Sequence, residues 1–153
     1  LDTNKSNIKY VRFCPKRFQI PELTSKTTKF LSLPLPPGIK INMSMDKLEG
    51  TIDQKTGEIN LNFESKFTLK VFSIFKLPSL IVKSPLKTSK VKTKRFQSEG
   101  LALQKDGKLK LVGIAQIDKT NNYLLDSLLF LPTEALAELK CEMKINSFED
   151  IED

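Results

Sequence analysis

The feature that most constrains this chain is a long alternation over residues 58–71. Ile59, Leu61, Phe63, Phe67, Leu69 and Val71 hold odd positions, while Asn60, Asn62, Glu64, Lys66, Thr68 and Lys70 hold even ones. Successive side chains of a strand point to opposite faces, so the pattern writes one long strand with an apolar side and a wet side. Leu109, Leu111, Gly113, Ala115 and Ile117 repeat it after Lys105-Asp106-Gly107-Lys108. Asp-Gly there predicts a hairpin with a type I′ turn, residues 100–103 supplying its first strand. The expected fold is mainly β: a single-domain antiparallel β-barrel or strongly curved sheet, with one short helical segment near residues 121–139.

Other segments fit that frame. Residues 8–14 read as a first strand with Val11 and Phe13 on one side, ended by Pro15. Residues 27–33 are a second candidate. Residues 33–38, Leu-Pro-Leu-Pro-Pro-Gly, offer too few backbone donors for a sheet interior and read as an extended connector. Ile39, Ile41, Met43 and Met45 alternate, but Leu48, Gly50 and Ile52 fall on the other parity. A one-residue slip inverts the faces unless an extra residue absorbs it, so a bulge or tight turn is expected at Asp46-Lys47. Gly57 is expected to close a hairpin at positive φ. A strand starting at Leu80 is expected to be interrupted by Pro85. Leu124, Leu125, Leu128 and Leu129 repeat at helical spacing, and Pro132-Thr133-Glu134 reads as the start of a fresh turn through Ala137. A last strand is expected to carry Leu139, Cys141, Met143 and Ile145.

At 153 residues the chain is long enough to bury a core without metals or disulfides. Residues 1–148 are expected to form one β-rich domain, and the acidic tail 149–153 is expected to fray. The predicted inner face comprises Ile41, Met43, Ile59, Leu61, Phe63, Phe67, Leu69, Leu109, Leu111, Ala115 and Ile117. Val112 and Ile114 make one strand apolar on both sides, and the leucines of residues 121–131 are the natural cover for its outer face.

Composition narrows the chemistry. There is no histidine, which removes the commonest general base and the commonest neutral metal ligand. Cys14 and Cys141 are the only cysteines. They read as two reduced thiols, the alternative being one disulfide from the first strand to the last. No metal site, cofactor or catalytic constellation is expected: acids lack EF-hand spacing, and no nucleophile elbow or phosphate-cradling glycine loop is present. No run approaches the ~18 apolar residues of a membrane-spanning helix, so a soluble, cytoplasmic protein is favoured. The first residue is Leu1, which fits a trimmed or processed chain and leaves open whether a targeting segment precedes it.

Two binding surfaces are candidates. The apolar faces suit either a core filled by its own side chains or a cupped interior that holds an apolar ligand, lined by Phe63, Phe67, Leu111, Gly113 and Ala115. The net charge is +7, and Lys83, Lys87, Lys90, Lys92, Lys94 and Arg95 crowd a stretch with no acid. Lys90, Lys92 and Lys94 would share one face of an extended segment at ~7 Å intervals, near the phosphate spacing of a nucleic-acid strand. Such a cluster attracts phosphate on RNA or anionic lipid. It equally serves as a lysine-protected sheet edge. Phe96 is the one adjacent aromatic, and the chain has three arginines, Arg12, Arg17 and Arg95, which is sparse for a nucleic-acid reader.

Residues 111–115 (LVGIA) and 125–137 (LDSLLFLPTEALA) give the stretch 100–143 a resemblance to a family of uncharacterised proteins from cyanobacteria and plastid-bearing lineages. That resemblance implies no activity and carries over no site residue. The leading expectation is a non-catalytic binding or interaction domain for an apolar small molecule or a partner protein. Anionic-surface binding through residues 83–95 is one alternative and an enzyme of unrecognised class is another.

Overall fold

The computed structural model describes residues 7–17, 29–30, 33–34, 37–72 and 74–144. Its elements in chain order are β1 (Ile8–Arg12), β2 (Lys29–Phe30), β3 (Leu33–Pro34), β4 (Ile39–Asp53), β5 (Ile59–Val71), β6 (Phe75–Lys76), β7 (Leu80–Lys87), β8 (Lys90–Lys92), β9 (Gln97–Glu99), β10 (Lys108–Ile117), α1 (Tyr123–Leu128) and β11 (Thr133–Glu142). The main sheet is antiparallel in the order β1-β4-β5-β7-β10-β11, with β6 added to one end of β5. β1 and β11 are the two ends of that path, so the strands do not close into the barrel that one sequence expectation allowed. β2–β3 and β8–β9 are separate two-stranded ladders. The tail 149–153 and Ile145 lie outside the described residues, as does most of 18–36.

The long alternation becomes β5, where Ile59, Leu61, Ser65 and Leu69 are buried and the even-numbered side is largely wet. The slip in β4 is absorbed where expected: the register with β5 shifts between Met45 and Lys47. Leu48, Gly50 and Ile52 thereby return to the face of Phe63, Leu61 and Ile59. Gly57 closes the β4–β5 hairpin at φ +76°. The inner face carries two buried clusters. One comprises Ile52, Ile59, Leu61, Leu86, Leu109 and Leu111, joined by Val11 and Phe13 beside β1 and by Ala137, Cys141 and Met143 on or beside β11. The other comprises Leu69, Leu80, Val82, Ala115, Leu125 and Leu131, joined by Ile41, Phe67, Leu77, Ile117 and Leu129.

Several expectations are corrected. The helix spans six residues only, and residues 133–142 form β11 in ten consecutive pairs with β10, from Ile117↔Thr133 to Lys108↔Glu142. Helix propensity in Glu-Ala-Leu-Ala is a weak prior that an unpaired edge of β10 overrides. The helix covers the inner face, not the outer one, because Leu125 and Leu131 are buried with Leu69 and Val82. Residues 100–103 form no strand; Leu101 makes a single bridge to Lys110. The turn at Asp106-Gly107 is not type I′, which needs positive φ at both central residues: Gly107 has φ +87° and Asp106 is not in that region. Gly107 instead follows a turn closed by its N–H on the Gln104 carbonyl at 2.9 Å. Leu33–Pro34, read as connector, pairs with Lys29–Phe30.

Pro85 does not break β7, which runs through it between β5 and β10. A strand residue directs its N–H and its carbonyl to the same neighbour. The Pro85 carbonyl is turned to β10, since a Cβ on Gly113 would lie 1.8 Å from it. The missing N–H therefore also faces β10, where the ladder runs from Val112↔Lys87 directly to Gln116↔Lys83. Ser84 Oγ donates to the Pro85 carbonyl at 2.9 Å and gives that carbonyl a donor where the ladder is interrupted. Pro85, Ser84 and Gly113 form one unit, and Gly113 is glycine because a carbonyl occupies its side-chain space.

Two further details shape the ends of the sheet. At the C-terminus of α1, Leu131 N–H reaches the Asp126 carbonyl at 2.8 Å and Phe130 N–H reaches the Ser127 carbonyl at 3.4 Å. This is the Schellman pattern, whose left-handed position normally holds glycine. Here Phe130 occupies it at φ +55°, and Phe72 at the end of β5 has φ +52°. For a residue with a side chain such a conformation costs about 1–2 kcal/mol. At the other end, the chain leaves β7 at Lys87 and returns beside β10 at Leu101. The intervening β8–β9 hairpin forms a flap. It touches β10, and Ser98 on it donates to Glu138 on β11.

Candidate functional site

The predicted ligand-lining residues do share a face, but they divide between the two clusters. Phe63 and Leu111 pack in the first, Phe67 and Ala115 in the second. Between them lies a belt of small residues. Ser65 stands between Phe63 and Phe67 on β5, opposite Met45 on β4 and Val82 on β7. Ser84 stands opposite Phe63, and Gly113 lies against Pro85. Ser65 is 0% exposed, and its Oγ has no hydrogen-bond partner. A buried hydroxyl without a partner costs about 1–3 kcal/mol. Ser84 satisfies its own hydroxyl, so Ser65 alone carries this penalty among the described residues. Sequence reasoning passed over Ser65. The signal available was a polar residue at an odd position in an otherwise apolar phase. Phe63 and Phe67 beside it are half-buried.

The basic stretch is split by the fold. Lys83 and Lys87 project from the outer side of β7, opposite Glu64 and Asn60 on β5. Lys90 and Lys92 are exposed on β8, on either side of buried Val91. Lys94 is not on that strand face as expected; it sits with Arg95 in the bend before β9, where a strand cannot continue because Thr93 Oγ1 accepts from the N–H groups of Arg95 and Phe96. The Arg95 guanidinium lies over the Phe96 ring, 5.3 Å from its centre. Glu99 faces Lys90 across the flap. The flap, not the helix, covers the outer side of β10: Val112 is 0% exposed and Val91 7%.

A polar clasp holds the flap down. Ser98 Oγ donates to Glu138 Oε1, and Lys110 Nζ donates to the same oxygen at 3.1 Å and to Ser98 Oγ at 3.4 Å. The Ser98 and Lys110 hydrogen bonds hold the Glu138 carboxyl below its usual range. A second charged group lies on β1 and β4, where Glu49 takes Arg12 at 2.8 Å and Lys47 at 2.9 Å. Lys47 first and then Arg12 depress the Glu49 carboxyl. Asp126 accepts from the Thr120 hydroxyl at 2.6 Å, which lowers its carboxyl and fixes the approach to α1. These carboxylates are each consumed by a structural partner. Cys14 is exposed and free, and Cys141 is free with its thiol pushed up by burial.

Two surface depressions, of about 400 and 250 Å³, lie at residues 103–107 with Met143 and Lys144, and at Gln116, Ile117 and Asp118 with Pro132, Thr133 and Glu134. Neither is lined by Phe63, Phe67, Leu111, Gly113 or Ala115. Among the described residues no group of three acids or cysteines is placed to hold a metal ion, and no helix is long and apolar enough to cross a membrane. No family model matches the chain, and no curated protein or solved structure matches it either.

Proposed function

We propose that this chain is a non-catalytic binding domain whose inner sheet face takes an apolar small molecule bearing one hydrogen-bonding group. The observation that carries this reading is Ser65. A buried, unpartnered hydroxyl between two half-buried phenylalanines is what an apolar guest with a single polar atom requires. Side chains from both edge strands meet in one cluster, which supports a strongly curled, cupped sheet. Phe63 and Phe67 would flank the guest, while Leu111 and Ala115 extend the apolar wall. Native mass spectrometry of protein purified from its own source is the direct test, with a retained small-molecule mass expected. Ser65→Ala sharpens it. In ligand-free protein this change should raise stability by about 1 kcal/mol, because the orphaned hydroxyl disappears, and it should weaken retention of the guest. A loss of stability in the ligand-free protein would show that Ser65 already has a partner, and the reading falls.

A second reading, binding of an anionic surface through residues 83–95, is favoured by one observation. None of Lys83, Lys87, Lys90, Lys92, Lys94 and Arg95 enters an ion pair among the described residues. Replacing Lys90, Lys92 and Lys94 with glutamine should flatten the salt dependence of RNA or vesicle binding by about three counterions. A wild-type protein indifferent to both at low salt leaves the cluster as a protected edge.

A further inference from the structure

Five large hydrophobic side chains stand out of the fold at one end of the sheet. Phe72 is 66% exposed, Ile74 79%, Tyr123 83%, Leu124 79% and Phe130 77%. They belong to two segments that anchor in the same place. The loop after β5 plants Leu77 in the second cluster, with Leu77 N–H on the Leu69 carbonyl at 3.1 Å, and α1 plants Leu125, Leu129 and Leu131 there. Each segment thus buries its inner leucines and turns other apolar residues to water. Isolated exposed apolar residues are ordinary, but five on two segments above one cluster form a concentrated apolar tip.

The backbone adds an independent sign. Phe72 and Phe130 both occupy the left-handed region, at φ +52° and +55°. At both positions glycine or asparagine would relieve the backbone. Phe72 rests one side of its ring on Gly38, yet most of it stays in water, and Phe130 is more exposed still. A fold that keeps a bulky aromatic in a disfavoured conformation, and then does not bury it, gains nothing from it within the monomer. The same end carries Lys40 and Lys70, paired across β4 and β5 below the loop, and Lys119 before α1, against the carboxylates of Asp118 and Glu134. Asp126, although it accepts from Thr120, stays ionised and faces Lys119, so acids and lysines balance at this end.

We propose that this end of the sheet is a membrane-docking tip. Phe72, Ile74, Tyr123, Leu124 and Phe130 enter the headgroup and acyl boundary of an anionic bilayer. Aromatic rings prefer that boundary, and protruding side chains on two separate segments suit a deformable lipid surface better than a flat protein face. Net charge of +7 supplies the long-range attraction. This inference does not depend on a guest at Ser65 or on the basic flap.

The test is sedimentation with vesicles of phosphatidylcholine alone and of phosphatidylcholine with phosphatidylglycerol. Wild-type protein should pellet with the anionic vesicles, less so at high salt. Phe72→Ser and Phe130→Ser should each weaken partitioning about tenfold, the loss expected when a large apolar side chain no longer enters the lipid. Phe130→Gly is the decisive variant. It should raise the thermal midpoint by releasing the backbone and still lower vesicle binding, which a folding defect cannot imitate. Binding lost in the Lys90, Lys92 and Lys94 glutamine variant but unchanged in the phenylalanine variants would overturn the proposal and move the contact to the flap. So would a complete lack of vesicle binding, or concentration-dependent self-association abolished by the same phenylalanine changes, which would make the tip a contact between copies.

Discussion

The two inner clusters of this sheet have similar composition and different character. The first, around Ile59, Leu61 and Leu109, draws its six buried residues from strands alone, each no more than 5% exposed. The second, around Leu69, Leu80 and Val82, is roofed by a six-residue helix and a loop, and most of its members keep 7–8% of their surface. The first is held by ladders on both sides of each central strand. The second depends on segments that leave the sheet, adopt disfavoured backbone at Phe72 and Phe130, and expose several large apolar side chains. Packing and exposure differ along the same strands: the cluster built from strands alone is the more tightly sealed, and the most exposed large apolar side chains among the described residues flank the other.

The largest expected effect tests this contrast directly. Leu61→Ala should cost about 2–5 kcal/mol in a denaturant titration, near the top of that range because surrounding strands cannot collapse into the gap. Leu69→Ala should cost less, about 2 kcal/mol, since the roof can settle. Equal losses would erase the distinction between the clusters. Next comes the seam between them. Gly113→Ala puts a methyl group where the Pro85 carbonyl lies, 1.8 Å away, and should cost about 1–3 kcal/mol by forcing β7 and β10 apart. A neutral result would mean that the unit of Pro85, Ser84 and Gly113 is not rigid. The smallest effect belongs to the flap. Glu138 has a depressed carboxyl, so its contribution is complete above its ordinary value near 4.5 and fades as the pH falls through the lowered one. The protection factor of the Val91 amide, corrected for intrinsic exchange, should therefore fall at acid pH before that of Ile59, and Glu138→Gln should remove that step.

How much of this was legible varied with the physics that decided each element. β5 was readable throughout because a two-faced strand writes its period directly, and the bulge at Met45–Lys47 was readable because a phase slip has one economical cause. The second half of β11 was readable at Leu139 and Cys141, but its start was misread because Ala135, Leu136 and Ala137 satisfy a helical stripe as well as a strand, and only the open edge of β10 decides between them. Pro85 was misread because its tolerance depends on Ser84, adjacent in sequence, and on Gly113, far along the chain. Among candidate site residues, the lysines were found by charge alone, whereas Lys94 fell off the expected face because the Thr93 hydroxyl organises a bend there. Ser65 was invisible as a site, since a single polar letter gives no sign of being buried without a partner. The exposed phenylalanines were equally hidden: composition counts a Phe the same whether it faces a core or water.

The flap carries one more implication. It leaves and rejoins the sheet at almost the same point, with Gly100 N–H on the Ser89 carbonyl at 3.3 Å and Leu101 already bridged to Lys110. The strand register on either side therefore does not count the residues between. Extending the chain at Lys94 and Arg95 leaves every rung of the main sheet where it is, and doubling such a loop costs only about 0.6 kcal/mol in closure entropy. The segment behaves as a socket, a place where a lineage or an engineer can graft a new peptide without renegotiating the fold, provided that Val91 stays to shelter Val112.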